Sequence, residues 1–412
     1  MSNWELITLG DCANINMGQS PDSVSYNDKG IGMPFLQGCA DFGKKHPLTT
    51  TYTTSPNKTS VASAILISVR APVGDLNIAD KDYCIGRGLS SIIGKYGTAT
   101  TDYLYYFLQY TKEVLKKSGQ GSTFEAVNSK DLRNHKINLP PLPAQQKIAK
   151  ILSTIDGQIE KTEAIIAKYQ AVKQGMLQDL FTRGIDVATG ELRPKYEDVP
   201  ELYKDSLLGM IPKEWEVVRF GDEIELVHGY QFRDFDFVDS GIPVVKIGQV
   251  KPDGLDLSNC TFIAKDRLEE FKDILIVNQD VLMALTGATL GKSCFVQGMN
   301  NVMFQNYRVG KFVSRSPGGY NQGFMFLLLN LPLLLNQIFN KVNTGAQGNI
   351  GKADFENCKI FRPGIEEQMK IWEFANSVNT TISSNKTTLA KAKILKQGLM
   401  SDLLRGKVEV TA

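Results

Sequence analysis

Hydrophobic and polar positions follow two different periods along this chain, and the switch between them happens twice. Residues 1–143 and 214–365 carry short apolar runs bounded by Gly, Pro or Asn. Ala64-Ile65-Leu66-Ile67-Ser68-Val69, Ser91-Ile92-Ile93, Pro243-Val244-Val245-Lys246-Ile247 and Asp280-Val281-Leu282-Met283-Ala284-Leu285 read as buried strands. One helix interrupts each stretch, at 102–117 and 322–341. Residues 144–183 and 366–406 then step by three and four instead of alternating. In the first, the stepped positions are Ile148, Leu152, Ile155, Ile159, Thr162, Ile166, Tyr169, Lys173, Met176 and Leu180. In the second they are Ile371, Ala375, Val378, Ile382, Asn385, Leu389, Ala392, Lys396, Leu399 and Leu403. This is the seam of a coiled coil, on helices roughly 55–60 Å long at about 1.5 Å per residue.

The two halves repeat each other. Trp4-Glu5-Leu6 returns as Trp215-Glu216-Val217, an offset of 215 − 4 = 211. Pro140, Gln145, Lys147-Ile148 and Asp179-Leu180 return as Pro363, Gln368, Lys370-Ile371 and Asp402-Leu403, an offset of 363 − 140 = 223. An internal repeat of this length decides the architecture before any motif does. The expected fold is α+β, with two similar mixed α/β globules joined by two long coiled-coil helices. The expected segments are a globule at 1–143, a helix at 144–183, a linker at 184–213, a second globule at 214–365 and a second helix at 366–406. A parallel, in-register pair would bury Lys173 beside Lys396, so the helices are expected to run antiparallel, with a pseudo-twofold relation between the copies. Pro140-Pro141-Leu142-Pro143 starts the first helix, and Gly184 and Gly406 are placed to end the two helices in left-handed caps.

Composition narrows the chemistry. A chain of 412 residues exceeds one ordinary core. Its net charge of +2 means that any nucleic-acid contact must come from local positive faces. Cys12, Cys39, Cys84, Cys260, Cys294 and Cys358 are scattered, which argues against zinc and disulfide frameworks and for a reducing, cytoplasmic setting. No signal peptide pattern opens the sequence, and the apolar stretch 324–335 is too short for a bilayer and reads as core helix.

Catalytic signatures are weak. Gly287-Ala288-Thr289-Leu290-Gly291-Lys292-Ser293 is one residue short of a phosphate-binding loop, and its partner Ala71-Pro72-Val73-Gly74-Asp75 lacks lysine; a turn after a buried strand explains both. His46, His135 and His228 are far apart and do not repeat. Asp131 and Asp354 correspond, at places where capping is the commoner role. The loops carry more. Lys117, Gln120 and Ser122 lie in a Gly-rich segment matched by Gln347 and Asn349. Arg70 and Arg87 in the first copy, and Lys246, Gln305, Asn306 and Arg308 in the second, add cationic and amide groups suited to phosphates and base edges. These eleven are the candidate DNA-binding residues; no catalytic or metal-ligating residue is expected.

The openings at Trp4 and Trp215, Val69-Arg70-Ala71-Pro72-Val73-Gly74, Leu139-Pro140-Pro141-Leu142 with Gln145, the stretch Asp205-Ser206 to Trp215-Glu216, and the tail Leu403-Leu404-Arg405-Gly406-Lys407-Val408 resemble, in this order, the specificity subunits of type I restriction–modification systems. The resemblance implies two target-recognition domains on double-stranded DNA, and two methyltransferase subunits docked on the helices. It also implies restriction and translocation subunits that join such complexes. S-adenosylmethionine, ATP and Mg2+ would be used by those partners, with no cofactor in this chain. Ile148, Leu152, Ile155, Ile159, Ile166, Tyr169, Met176, Leu180, Ile371, Val378, Ile382, Leu389, Leu399 and Leu403 would form the seam and docking helices. The chain departs from the family at Ala144, where Glu is usual and where copy two keeps Glu367, at Gly364-Ile365 in place of prolines, and at Asn379 opposite Asp156. A coiled-coil scaffold whose globules bind proteins is the alternative reading.

Overall fold

The structure, a computed structural model, describes residues 4–118, 126–340, 348–408 and 410. They fall into two compact units, Met1–Ala164 with Lys386–Ala412, and Ile165–Asn385. Each unit therefore holds one globule and parts of both long helices.

In the first unit, eight strands matter: β1 (Glu5–Thr8), β2 (Ala13–Met17), β3 (Met33–Leu36), β4 (Ile65–Ser68), β5 (Leu76–Ile78), β6 (Tyr83–Ile85), β7 (Leu89–Gly94) and β8 (Lys136–Leu139). An antiparallel sheet runs β2–β7–β4–β5. β1 pairs antiparallel with β8, and β3 pairs parallel with β6. β4 is buried along its whole length, as its unbroken apolar run requires. Helices α1 (Thr101–Tyr110) and α2 (Lys112–Ser118) cover the sheet, and α3 (Leu142–Thr182) follows.

The second unit repeats this plan strand for strand. β9 (Glu216–Arg219), β10 (Ile224–His228), β11 (Ile242–Val245), β12 (Val281–Ala284), β13 (Ser293–Phe295), β14 (Met303–Gln305), β15 (Val309–Ser314) and β16 (Lys359–Arg362) correspond to β1 through β8. The sheet order is β10–β15–β12–β13, β9 pairs with β16, and β11 pairs parallel with β14. Helices α4 (Gln322–Leu329) and α5 (Pro332–Phe339) take the places of α1 and α2, and α6 (Ile365–Leu404) follows.

The single interrupting helix expected in each copy is in fact two. The first breaks at Thr111, whose hydroxyl bonds back to the Phe107 carbonyl at 2.9 Å, and the second breaks where Pro332 cannot continue α4. Among the described residues no single helix is long and apolar enough to cross a membrane. The bent pair α4–α5 passes on apolarity alone, and it buries Phe324, Met325, Leu328, Leu334 and Ile338 in the core of its own unit.

The long helices are antiparallel, and each unit demonstrates this separately. In the first, Ile148 and Leu152 near the start of α3 pack with Met400, Leu403 and Leu404 at the end of α6. In the second, Met176, Leu180 and Phe181 at the end of α3 pack with Ile371 and Ala375 near the start of α6. Ile148, Leu152, Ile166, Met176, Leu180, Ile371, Ile382 and Leu403 are buried. Ile155, Ile159, Tyr169, Val378, Leu389 and Leu399 are half-buried, so none of the predicted seam residues faces open solvent. Gly184 and Gly406 follow the helices with φ of 66° and 68°, the left-handed geometry that favours glycine at a helix end.

The same side chain bolts each globule to its helix. Gln145, fully buried, donates to the Pro140 and Thr98 carbonyls at 2.8 and 3.0 Å and accepts from the Thr100 N–H at 2.8 Å. Gln368 repeats all three bonds with Pro363, Gly319 and Asn321 at 2.9, 3.1 and 2.9 Å. The departures noted in sequence have structural counterparts. Glu367, where copy one has Ala144, accepts from the Ile185 N–H at 2.8 Å and the Trp215 indole N–H at 3.0 Å and pairs with Arg193, pinning the linker to its own unit. Asp156, where copy two has Asn379, accepts from the Tyr106 hydroxyl at 2.9 Å and lies 2.7 Å from Lys396 Nζ.

Candidate nucleic-acid interface

The parallel strand pair and the four-stranded sheet end together in each unit, and that convergence builds the site. In the first unit the chain leaves β2 at Gly18-Gln19-Ser20, leaves β4 at Val69-Arg70, and turns between β6 and β7 through Gly86-Arg87-Gly88. Backbone bonds lock these segments. Gln19 N donates to Ile85 O at 2.9 Å, Gly86 N to Leu36 O at 2.7 Å, Val69 N to Gly88 O at 2.9 Å and Val127 N to Val69 O at 2.9 Å. Arg70 also forms a bridge with Ala126.

The second unit makes the same frame. Tyr230 N donates to Gln305 O at 3.0 Å, Asn306 N to Val245 O at 3.1 Å, Leu285 N to Arg308 O at 3.0 Å and Ile350 N to Leu285 O at 2.9 Å. Thr286 bridges Asn349 as Arg70 bridges Ala126. A glycine makes each crossing possible. A Cβ on Gly18 would stand 2.2 Å from Gly86 O, and one on Gly229 would stand 2.0 Å from Gln305 O.

This correspondence aligns the two units residue by residue where sequence alone does not. Gln19 matches Tyr230, Gln37 matches Lys246, Arg70 matches Thr286, Arg87 matches Tyr307, Gly88 matches Arg308 and Ala126 matches Asn349. The backbone is constant and the side chains change at every one of these positions. A constant donor–acceptor scaffold carrying variable cationic, amide and aromatic groups is what a pair of readers of different base sequences requires.

The sequence-predicted residues divide accordingly. Arg70 and Arg87 are exposed and share the first frame, with the Arg87 N–H held by Ser20 Oγ at 3.4 Å. Lys246, Arg308 and Asn349 belong to the second; the Arg308 guanidinium lies 5.1 Å from the Tyr307 ring centre, and Lys246 Nζ lies 4.2 Å from that of Phe237. Lys117 is exposed at the end of α2, and none of the frame's hydrogen bonds involves it. Gln120, Ser122 and Gln347 lie outside the described residues. Two expectations are corrected. Gln305 is fully buried and donates to the Val227 and Val309 carbonyls at 2.8 and 2.7 Å, so its amide ties β10 to β15 and does not face a ligand. Asn306 is 7% exposed and its Oδ1 accepts from the Arg308 N–H at 3.3 Å, so it shapes the turn that presents Arg308.

Gln19, Gln37, Tyr230 and Thr286 were missed by sequence reasoning. A signal for two of them existed: Gly18-Gln19 and Gly229-Tyr230 stand 229 − 18 = 211 residues apart, the offset of the two tryptophan openings. The segment 287–293 forms the turn between β12 and β13 and the first residue of β13, with a short helical turn at Gly287–Thr289. Asp131 and Asp354 cap short helices, accepting from the Asn128 and Gly351 N–H groups at 3.0 and 2.8 Å. Among the described residues no three His, Cys, Asp or Glu side chains converge to hold a metal ion.

The model of the type I restriction modification DNA specificity domain matches residues 1–169 and again 212–393. This chain belongs to that family. A Methanocaldococcus jannaschii chain named as a specificity subunit of the type I restriction enzyme MjaX is 43% identical over 189 residues, 45% of this chain and 44% of that one. The MjaVIII specificity subunit of the same organism is 28% identical over 75% of this chain and 70% of its own length. The crystal structure of a type I restriction–modification S subunit from M. genitalium matches 99% of this chain and 97% of its own, with a TM-score of 0.66 at 15% identity, which is a likeness of fold. As a type I specificity subunit, the chain carries its two family domains on the two frames just described.

Proposed function

We propose that each frame reads one half of an asymmetric, bipartite site in double-stranded DNA, and that this chain lends the site to partners that do the chemistry. The observation that carries the reading is the constant backbone frame with exchanged side chains. Arg70 and Arg87 serve the first half-site; Lys246, Arg308 and Asn349 serve the second. Lys117, Gln120, Ser122 and Gln347 add phosphate and edge contacts. The chain itself is non-catalytic. Two methyltransferase subunits dock on α3 and α6 and use S-adenosylmethionine, and restriction and translocation subunits that join them use ATP and Mg2+. The complex works in the cytoplasm, a setting that fits six cysteines scattered through the sequence.

The test is to map methylated adenines in DNA from cells carrying this chain with its methyltransferase partners. Arg70→Ala should relax or abolish only one half of the motif and Arg308→Ala only the other. Equal loss in both halves from either variant would refute the assignment of one frame to one half-site.

A further inference from the structure

Gln19 and Tyr230 occupy one backbone position in the two units and carry opposite chemistry. Each donates its N–H to the last residue of the neighbouring parallel strand, Ile85 at 2.9 Å and Gln305 at 3.0 Å. Each directly follows the glycine whose close approach locks the crossing, so neither backbone can retreat. Both side chains are exposed. Tyr230 is half out of water at 46% exposure, and its inner side rests on Phe232 and Phe271, ring centres 5.1 and 4.9 Å away. Its carbonyl also accepts from the Tyr307 N–H at 3.0 Å, which ties it to the turn that presents Arg308. A large aromatic ring held by two others and left partly bare is a rigid apolar surface, ready for a contact that removes its outer side from water. The Gln19 amide offers a donor and an acceptor side by side, the pattern that matches the N6 and N7 edge of adenine in the major groove.

We propose that Gln19 and Tyr230 are specificity-determining residues, each setting one base pair of its own half-site. Gln19 selects adenine through its amide, and Tyr230 selects thymine through apolar contact with the C5-methyl group. The proposal rests on the reading of the frames as DNA sites. It goes further by naming two side chains that motif reasoning did not single out and the bases that they choose.

The experiment is selection of bound sequences from a randomised duplex pool by the chain co-purified with its methyltransferase. Gln19→Ala should cost about tenfold or more in preference at one base pair of the first half-site and leave the second unchanged. Gln19→Glu should move that preference toward cytosine, whose N4 amino group donates to a carboxylate. Tyr230→Phe should select as the wild type does. Tyr230→Leu, which keeps an apolar contact with Phe271, should blur one base pair of the second half-site only. Wild-type selections from both Gln19→Ala and Tyr230→Leu would overturn the proposal, as would losses spread over both half-sites. Arg70→Ala and Arg308→Ala, run in parallel, separate the two levels. If they alter selection while the Gln19 and Tyr230 variants do not, this inference fails alone. If none of the four alters it, the DNA reading of the frames fails as well.

Discussion

Gly18 and Gly229 show how little room a recognition frame leaves at the scale of one residue. Each sits where a methyl group would enter a neighbouring carbonyl oxygen, at 2.2 and 2.0 Å. Gly18→Ala must push the β2 exit away from the Gly86 turn, and Gly229→Ala must do the same to the β10 exit. Overpacking of this kind costs about 1–3 kcal/mol, spent on local displacement more than on global unfolding. We therefore expect each variant to assemble with its partners and lose one half-site, checked by methylation mapping beside a thermal melt. His135 supplies a pH-dependent prediction. It is 8% exposed beside Phe107 and bonded to the Thr111 hydroxyl at 2.9 Å, and burial holds its pKa below the ordinary 6.5. The folded chain then binds fewer protons than the unfolded one as pH falls below that value. The stabilisation is fully present above about pH 6.5 and is lost as pH falls through the folded pKa. Comparing melts at about pH 7.5 and about pH 5.5 should show a smaller drop for His135→Gln than for the wild type; equal drops would place the effect elsewhere. Residue identity was only partly legible beforehand. Arg70, Arg87 and Arg308 could be picked out as cations in turns, but Gln305 and Arg308 look alike in a sequence, and only the fold puts the first at the end of a strand buried on both faces and the second on the exposed turn that follows.

At the scale of elements, apolar periodicity was a dependable guide where it ran long and a poor one where it ran short. The three-and-four stepping over about ten turns located both coiled-coil helices, because a seam of that length has no other way to bury its apolar side. The antiparallel direction followed from where Lys173 and Lys396 would otherwise meet. Over 102–117 and 322–341 the same apolar content concealed a break, since both halves of each helical pair face the same core. Beyond Gln145 and Gln368, the joint between globule and helix was not legible either. In the first unit it is polar: Glu163 takes Lys44 from the globule and Lys393 from α6, 2.9 Å away in the second case, and its carboxyl is held below the ordinary value mainly by the Lys44 bond. In the second unit it is aromatic, with Trp372 of α6 4.7 Å from Phe295 across the space that Gly323 leaves open. Unlike the repeated Gln145 and Gln368, these contacts recur in neither position nor type: at the offset of 223, Glu163 stands opposite Lys386 and Trp372 opposite Ala149, so no alignment of the two halves announces them. The seam itself is testable. Leu152 has no exposed surface and packs with Leu403 in one cluster, so Leu152→Ala should cost about 2–5 kcal/mol. Ile155→Asp, which places a carboxylate in the half-buried seam, should reduce recovery of the assembled complex in co-purification. Full recovery would mean that docking does not depend on this stretch of α3.

For the molecule as a whole, duplication explains why the target should have two different halves. On the proposed reading, two copies of one frame would give two readers of equal reach. The exchanges Gln19 for Tyr230, Arg70 for Thr286 and Gly88 for Arg308, made on matching backbone positions, would give them different tastes. The unread bases between the half-sites are then set by neither frame. Both units draw on the same two helices, α3 of 41 residues and α6 of 40, so the proposed bipartite reading makes helix length the variable that chooses the gap. Adding residues to one helix alone would slip the antiparallel seam, whereas matched insertions keep Ile148 and Leu152 opposite Leu403 and Met400 while lengthening both. Four residues add about 6 Å, roughly two base pairs at about 3.4 Å each. They also turn the seam by a little more than one helical turn, close enough to in-phase for packing to survive. We expect a chain with four residues inserted at the middle of α3 and four at the facing point of α6 to modify the same two half-sites with a gap about two base pairs longer. Sequencing the modified sites in cells carrying that chain decides it. An unchanged gap would mean that DNA bending or the partner subunits, and not the helices, set the spacing.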